Sequence, residues 1–197
     1  MGSAWEFPTS LNIGGVDYEI RTDYRVVLDL FTALSDPDLT DADEQMTAYM
    51  QSRAILEIMF PDCDNIPTEH IQEALDKVSE FIDMGISDDR KKPKTMDWEQ
   101  DAPILIPAIN KVLNCEIRAQ KYMHWWTFIG AYMEIGESLF SNVIHIRQKK
   151  AKGKKLEKWE QDFYNENKSL IDFRKSEKRS EEEKKALDNL FFSHKKK

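Results

Sequence analysis

His124 is the side chain in this sequence best suited to proton transfer or metal ligation. It stands in Tyr122-Met123-His124-Trp125-Trp126-Thr127-Phe128-Ile129. Either task needs more than one imidazole. A zinc site takes several ligands, and a general base needs a group that orients it. The sequence holds no Glu-x-x-His and no His-Glu-x-x-His, and His70, His145 and His194 are scattered. A histidine hydrogen-bonded for structural reasons is therefore expected at position 124.

The carboxylates lead to the same place. Asp97 and Asp101 share one helical face, a spacing that can hold a metal or divide acid and base roles. The same spacing complements the positive end of a helix dipole or pairs with Lys and Arg, and that is the preferred reading. Asp62-Cys63-Asp64-Asn65 lacks the glycine and closing glutamate of a calcium loop and reads as a turn. Glu134 and Glu137 without histidines make no di-iron site. Cys63 and Cys115 show no CxxC spacing and no evident His partner, which suits a reduced cytosolic protein. Lys152-Gly153-Lys154-Lys155 has lysines without a phosphate loop. No catalytic residue, metal or cofactor is expected, and no enzymatic activity.

Binding is a better fit. Nothing else in the chain is as dense in large rings as 122–129, and such rings dominate cores and interfaces. Adjacent tryptophans on a helix point about 100° apart, so one can pack inward while the other meets a second surface. Trp125, Trp126, Tyr132, Trp159 and Phe163 are the candidate partner-binding residues. A second candidate is the basic run from 147 to 158, with Arg147, Lys149, Lys150, Lys152, Lys154 and Lys155 as its patch. It could bind nucleic acid through phosphates, with strong salt dependence. It has no aromatic for base stacking before Trp159. A solvated segment or a surface for an acidic partner is preferred.

These residues must be held by helices. Charged residues make up 32 % of the chain and there are only seven Gly and seven Pro, which favours long helices. A 41 % apolar content is enough for a sizeable core. No apolar run reaches the roughly 18 residues of a membrane span, and the N-terminus does not read as a secretory signal. Met1–Ser3 could be a cloning remnant, and Met-Gly opens a myristoylation pattern that Glu6 spoils. Residues 1–80 carry a net charge of −13 and residues 81–197 a net of +5, together −8. That asymmetry suits self-association or a partner that meets one end only.

The expected architecture is mainly α, six to seven helices with a small N-terminal β-hairpin. Residues 1–86 hold the hairpin, turning at Gly14-Gly15, and three helices. The first opens at Thr22-Asp23, the second at Thr40–Glu44 and the third at Pro67-Thr68-Glu69. Residues 87–95 form a polar linker. Residues 96–175 form a second helical half packed with the first as one domain. It holds a helix 97–113 that is short or kinked around Pro107, an aromatic helix 115–135, a helix 137–150 and a last helix 155–175. That last helix carries a near-heptad seam through Leu156, Trp159, Phe163, Leu170 and Phe173. Residues 176–197 are a charged tail that could dock by Leu187, Leu190, Phe191 and Phe192.

The second half also resembles a known family. Asp97-Trp98-Glu99-Gln100-Asp101-Ala102, then His124-Trp125-Trp126-x-Phe128, then Ile144-x-Ile146-Arg147 is similar to the bacteriophage gene-product-fifteen family. The hairpin followed by Thr22-Asp23-Tyr24-Arg25-Val26, the Phe60-Pro61 helix end, and Lys-Lys-Ala-Lys-Gly-Lys-Lys-Leu before Trp159-Glu160 also fit. The resemblance covers most of residues 11–173. It implies a protein of phages and prophages, encoded in the tail module near the tape-measure gene, without enzymatic activity. The implied role is a tail-assembly chaperone that coats the hydrophobic, helical tape-measure protein in the host bacterial cytoplasm. The alternative is a nucleic-acid-associated phage protein using 147–158.

Overall fold

The computed structural model describes residues 5–36, 44–86 and 93–174. The cloning-remnant reading, the opening of the second helix at Thr40–Asp43, most of the 87–95 linker and the 176–197 tail lie outside them. Strands β1 (Ser10–Ile13) and β2 (Val16–Glu19) pair antiparallel with Ile13 opposite Val16. Gly14 and Gly15 make the turn at φ 58° and 83°, a conformation in which L side chains are strained. Gly14 is needed twice over, because a Cβ there would sit 2.6 Å from the His70 ring. A two-stranded ribbon is marginal alone. This one is held by its packing on a helix and by the Gly14 N–H donating to Glu73 at 3.0 Å.

Eight α-helices follow among the described residues. They are α1 (Tyr24–Leu34), α2 (Glu44–Met59), α3 (Ile71–Ile82), α4 (Trp98–Leu113), α5 (Trp125–Met133), α6 (Leu139–Ala151), α7 (Lys158–Glu166) and α8 (Lys168–Ile171). α1 lies at the centre, against α2, α4 and α5; α3 covers β1 and α2; α4 carries α5 and α6; α8 returns to α6. Most of the core is one cluster that draws on both halves of the chain, including Ile13, Val27, Leu30, Phe60, Phe81, Ile109, Trp125 and Phe128. Val143, Ile146 and Ile171 form a small second cluster under α7 and α8, with Ile104 touching both. No described helix is long and apolar enough to cross a membrane.

Three expectations need correction. α4 is one 16-residue helix that includes Pro103 and Pro107, so it is not cut short there. Both prolines are on its exposed side, and so is Glu99, so water can serve carbonyls that lose a helical donor. The aromatic helix does not start near Cys115. Asn114 closes α4 in the left-handed conformation (φ 52°), Ile117–Ala119 is a single 3-10 turn, and the helix begins only at Trp125. The seam over 155–175 is interrupted at Asn167, whose side-chain amide donates to the Phe163 carbonyl, and Leu156 and Phe173 lie outside both helices.

Candidate partner-binding surface

The site begins where two helices start side by side. Asp23 caps α1 by accepting from the Arg25 N–H, and His124 caps α5 through Nδ1, which accepts from the Trp126 N–H at 3.0 Å. The two caps face each other in an antiparallel bridge. The Tyr24 N–H donates to the Met123 carbonyl, the Trp125 N–H donates to the Thr22 carbonyl, and the Asp23 carboxylate accepts from the Met123 N–H. Because Nδ1 accepts, Nε2 carries the proton and donates to the Pro8 carbonyl at 3.1 Å. Phe7 stacks on the imidazole at 4.4 Å. Both ring nitrogens are thus engaged, and His124 is buried with no free lone pair for chemistry.

Burial lowers the His124 pKa, opposed in part by the Pro8 carbonyl. The unfolded chain then takes up its proton at a higher pH than the folded chain, near the ordinary value of about 6.5. This contribution to stability should be complete above that pH and shrink as pH falls below it. Thermal denaturation from about pH 7.5 to about pH 5 tests it. His124→Asn keeps a capping side chain and removes the titration. Parallel pH profiles for the two proteins would exclude His124 as the group responsible.

The tryptophans serve the core in different degrees. α3 ends with carbonyls that no helical N–H can reach. Trp125 Nε1 donates to the Ile82 carbonyl at 2.9 Å and Trp126 Nε1 to the Phe81 carbonyl at 2.8 Å. Trp125 is 1 % exposed, ringed by Phe31, Trp98 and Phe128. It has no surface to offer a partner, which corrects its place among the binding candidates. Trp126 is half-buried on Phe81. Phe163 is half-buried against the Val143–Ile146–Ile171 cluster.

Tyr132 and Trp159 lie where a partner could reach. Tyr132 is half-buried between Trp98 and Phe140, and burial raises its pKa. It lines a shallow groove of about 280 Å³ between the end of α5 and the outer face of α6, with Met133, Ile135, Phe140, Ile144 and His145. Met133 is 55 % exposed, and Leu139, next to Phe140 in the chain, is 45 % exposed. The His145 ring stacks on Trp159, itself 52 % exposed. The apolar residues of this groove missed by sequence reasoning are Met133, Ile135, Phe140 and Ile144. Their signal was present: apolar residues on either side of Gly136 cannot all turn inward from a tight inter-helix connection.

The basic patch is smaller than its sequence. Arg147 is withdrawn from it, being 4 % exposed. Its guanidinium meets Asp101 bidentately at 2.6 and 2.8 Å and donates to the Leu170, Ile171 and Thr95 carbonyls. All five N–H donors are used. Lys149 pairs with Glu160, and Lys150 pairs with Asp172 over the Tyr164 ring. Glu160 is buried. The Lys149 ammonium, the Glu157 N–H and His145 outweigh that burial and hold its carboxyl down to about 2. Lys152, Lys154 and Lys155 stay exposed without an ion pair among the described residues.

The carboxylates considered for chemistry are engaged in structure. Asp97 caps α4 by accepting from the Gln100 N–H at 2.9 Å, and Asp101 accepts from the Asp97 N–H. Burial acts to raise the Asp97 pKa, but the Gln100 N–H and Lys94 prevail and it ends lowered. Burial pushes the Cys63 thiol pKa up, away from nucleophilic form. Among the described residues no group of His, Cys, Asp or Glu is placed to hold a metal ion.

Residues 6–173 match the family model described as Bacteriophage Gp15 protein. No curated protein and no solved structure matches the chain.

Proposed function

The chain belongs to the bacteriophage Gp15 protein family, and we propose that it is a phage tail-assembly chaperone that binds the tape-measure protein in the host cytoplasm, without an enzymatic step. One observation carries this reading: the exposed groove that Tyr132, Met133, Ile135, Phe140 and Ile144 line with Ser141, His145 and Gln148, with the exposed Leu139 next to Phe140 in the chain and the exposed Trp159 stacked on His145. A long apolar helix needs cover until tube subunits surround it, and a groove of this kind receives one amphipathic face. Met133 supplies an adaptable surface for partners of varied sequence, and Trp159 an anchor with a polar edge. The choice of the tape-measure protein as partner rests on the tail-gene setting that the resemblance implies.

Co-expression with the tape-measure protein tests the proposal. The two should co-purify, and Met133→Asp, Leu139→Asp and Trp159→Ala should each weaken binding by about 10-fold or more. Each should leave stability within about 0.5–1 kcal/mol, because these side chains are about half exposed already. Tape-measure protein that never co-purifies, or tails that form normally without this chain, would end the proposal.

A further inference from the structure

Among the described residues the outer edge of β2 has no strand partner, and it opens onto a cleft. The Ile20 N–H donates to the Thr9 carbonyl, which sets the parity of the ladder. Leu11–Tyr18 and Ile13–Val16 are then the bonded pairs, and Asp17 and Glu19 turn their N–H and C=O groups away from β1. No described hydrogen bond uses those groups. Beside this edge lies a cleft of about 450 Å³ lined by Val16, Asp17, Tyr18, Glu19, Phe60, Asp62 and Asn65. Its three carboxylates have no cation among the described residues; Asp17 accepts only from the Asn12 amide at 2.7 Å. Arg21, two residues beyond Glu19, donates from Nη1 to the Glu57, Ile58 and Phe60 carbonyls at the end of α2 and makes no ion pair with the three carboxylates. An open strand edge with unneutralised acids invites an extended basic segment.

This chain carries a basic segment elsewhere: past the turn at Lys152-Gly153 that closes α6, residues 154–157 have no regular structure before α7. Lys152, Lys154, Lys155 and Lys158 flank the connection from α6 to α7, all exposed and none ion-paired among the described residues. The connection contributes Leu156 to the cluster under α7 and α8, whereas the hairpin packs on α3. We propose that the β2-edge cleft of one copy receives the Lys152–Lys158 connection of a second copy. Donor and acceptor surfaces differ, so the contact is heterologous and runs head to tail, giving a ring if the rotation closes and an open filament if it does not. The strand edge supplies backbone groups along the incoming segment, and Asp17, Glu19 and Asp62 supply the countercharge. None of these residues lies in the α5–α6 groove, so this contact and the tape-measure reading stand or fall separately.

Sedimentation velocity on the full chain tests the contact. At an ionic strength of about 0.01 M the average mass should rise with protein concentration, and at about 1 M, where screening is nearly complete, it should return to that of the monomer. Asp17→Lys/Glu19→Lys/Asp62→Lys makes the cleft basic, and Lys152→Glu/Lys154→Glu/Lys155→Glu makes the connection acidic. Either variant alone should self-associate about 10-fold more weakly or less. Mixed, the two should associate again, because each connection then meets a cleft of opposite charge. A wild-type chain that stays monomeric at low salt overturns the proposal without any variant. So does association that survives high salt or either reversal, and so does a mixture of folded variants that remains monomeric.

Discussion

Arg147→Met should destabilise the chain by about 3–5 kcal/mol, because it leaves the Asp101 carboxylate charged, buried and without its counter-ion. The pair is 3 % and 1 % exposed, and every donor of the guanidinium is used. Two of those donors serve the Leu170 and Ile171 carbonyls, at the end of α8, where no helical N–H is available. The loss should therefore concentrate in one region, and limited proteolysis should cut first between α7 and α8. Arg147→Lys should recover little, since an ammonium cannot present the planar fork that two carboxylate oxygens and three carbonyls require. The double change Asp101→Leu/Arg147→Met removes both charges and should cost less than Arg147→Met alone. It should not reach wild type, because the Asp97 N–H and the α8 carbonyls still lose partners. Urea denaturation of the two single variants and the double variant gives the coupling. A loss below about 1 kcal/mol for Arg147→Met would mean that the pair is hydrated in solution.

The second large effect belongs to Trp125. Trp125→Ala should cost about 3–5 kcal/mol, against a total stability of about 5–15 kcal/mol for an ordinary domain. Reduced yield or a loosely packed protein is the expected outcome. Trp125→Phe separates packing from hydrogen bonding. It keeps an aromatic ring beside Phe31, Trp98 and Phe128 but removes the only described donor to the Ile82 carbonyl. A buried carbonyl stripped in this way costs about 1–3 kcal/mol. The matching change next door, Trp126→Phe, should cost less than half as much, because the Phe81 carbonyl keeps the Met84 N–H at 3.2 Å. Equal losses for the two phenylalanine variants would show that the indole bonds do not matter and that only ring volume does.

Adjacent tryptophans in a sequence announce importance without saying which one faces inward. The spacing implies that they diverge on a helix but leaves the phase open, and in the fold both indoles reach the end of α3, at the Ile82 and Phe81 carbonyls. The phase comes from His124, which starts α5 one residue before Trp125 and so fixes where every later side chain points. Placing the helix start near Cys115 gave Tyr122 a helical partner series it does not have; Tyr122 lies outside α5, and its hydroxyl bonds to Thr22. The sign that α4 had ended was Asn114, a residue tolerant of the left-handed conformation that closes helices. Asn167 marks the break between α7 and α8 in a similar place, and the apolar seam across it concealed the interruption.

The sequence by itself determined whatever depends on neighbours within about four residues. The Gly14-Gly15 turn, the Asp23 cap on α1, the Asp97 cap on α4 and the mainly helical class with its small hairpin are all of this kind. The resemblance carried by Asp97-Trp98-Glu99-Gln100-Asp101 and His124-Trp125-Trp126 led to the family as well. Only the tertiary structure decided which polar side chains are buried and with whom. Asp101 meets Arg147 across 46 positions, and the two indoles reach carbonyls 43 and 45 positions away. Local spacing cannot show such bonds, because burying a charge or an N–H is tolerable only when a distant partner arrives with it. For the same reason a run of seven basic residues looked like one patch, while the fold sends Arg147 inward, ties Lys149 and Lys150 to carboxylates, and leaves the lysines of the α6–α7 connection exposed.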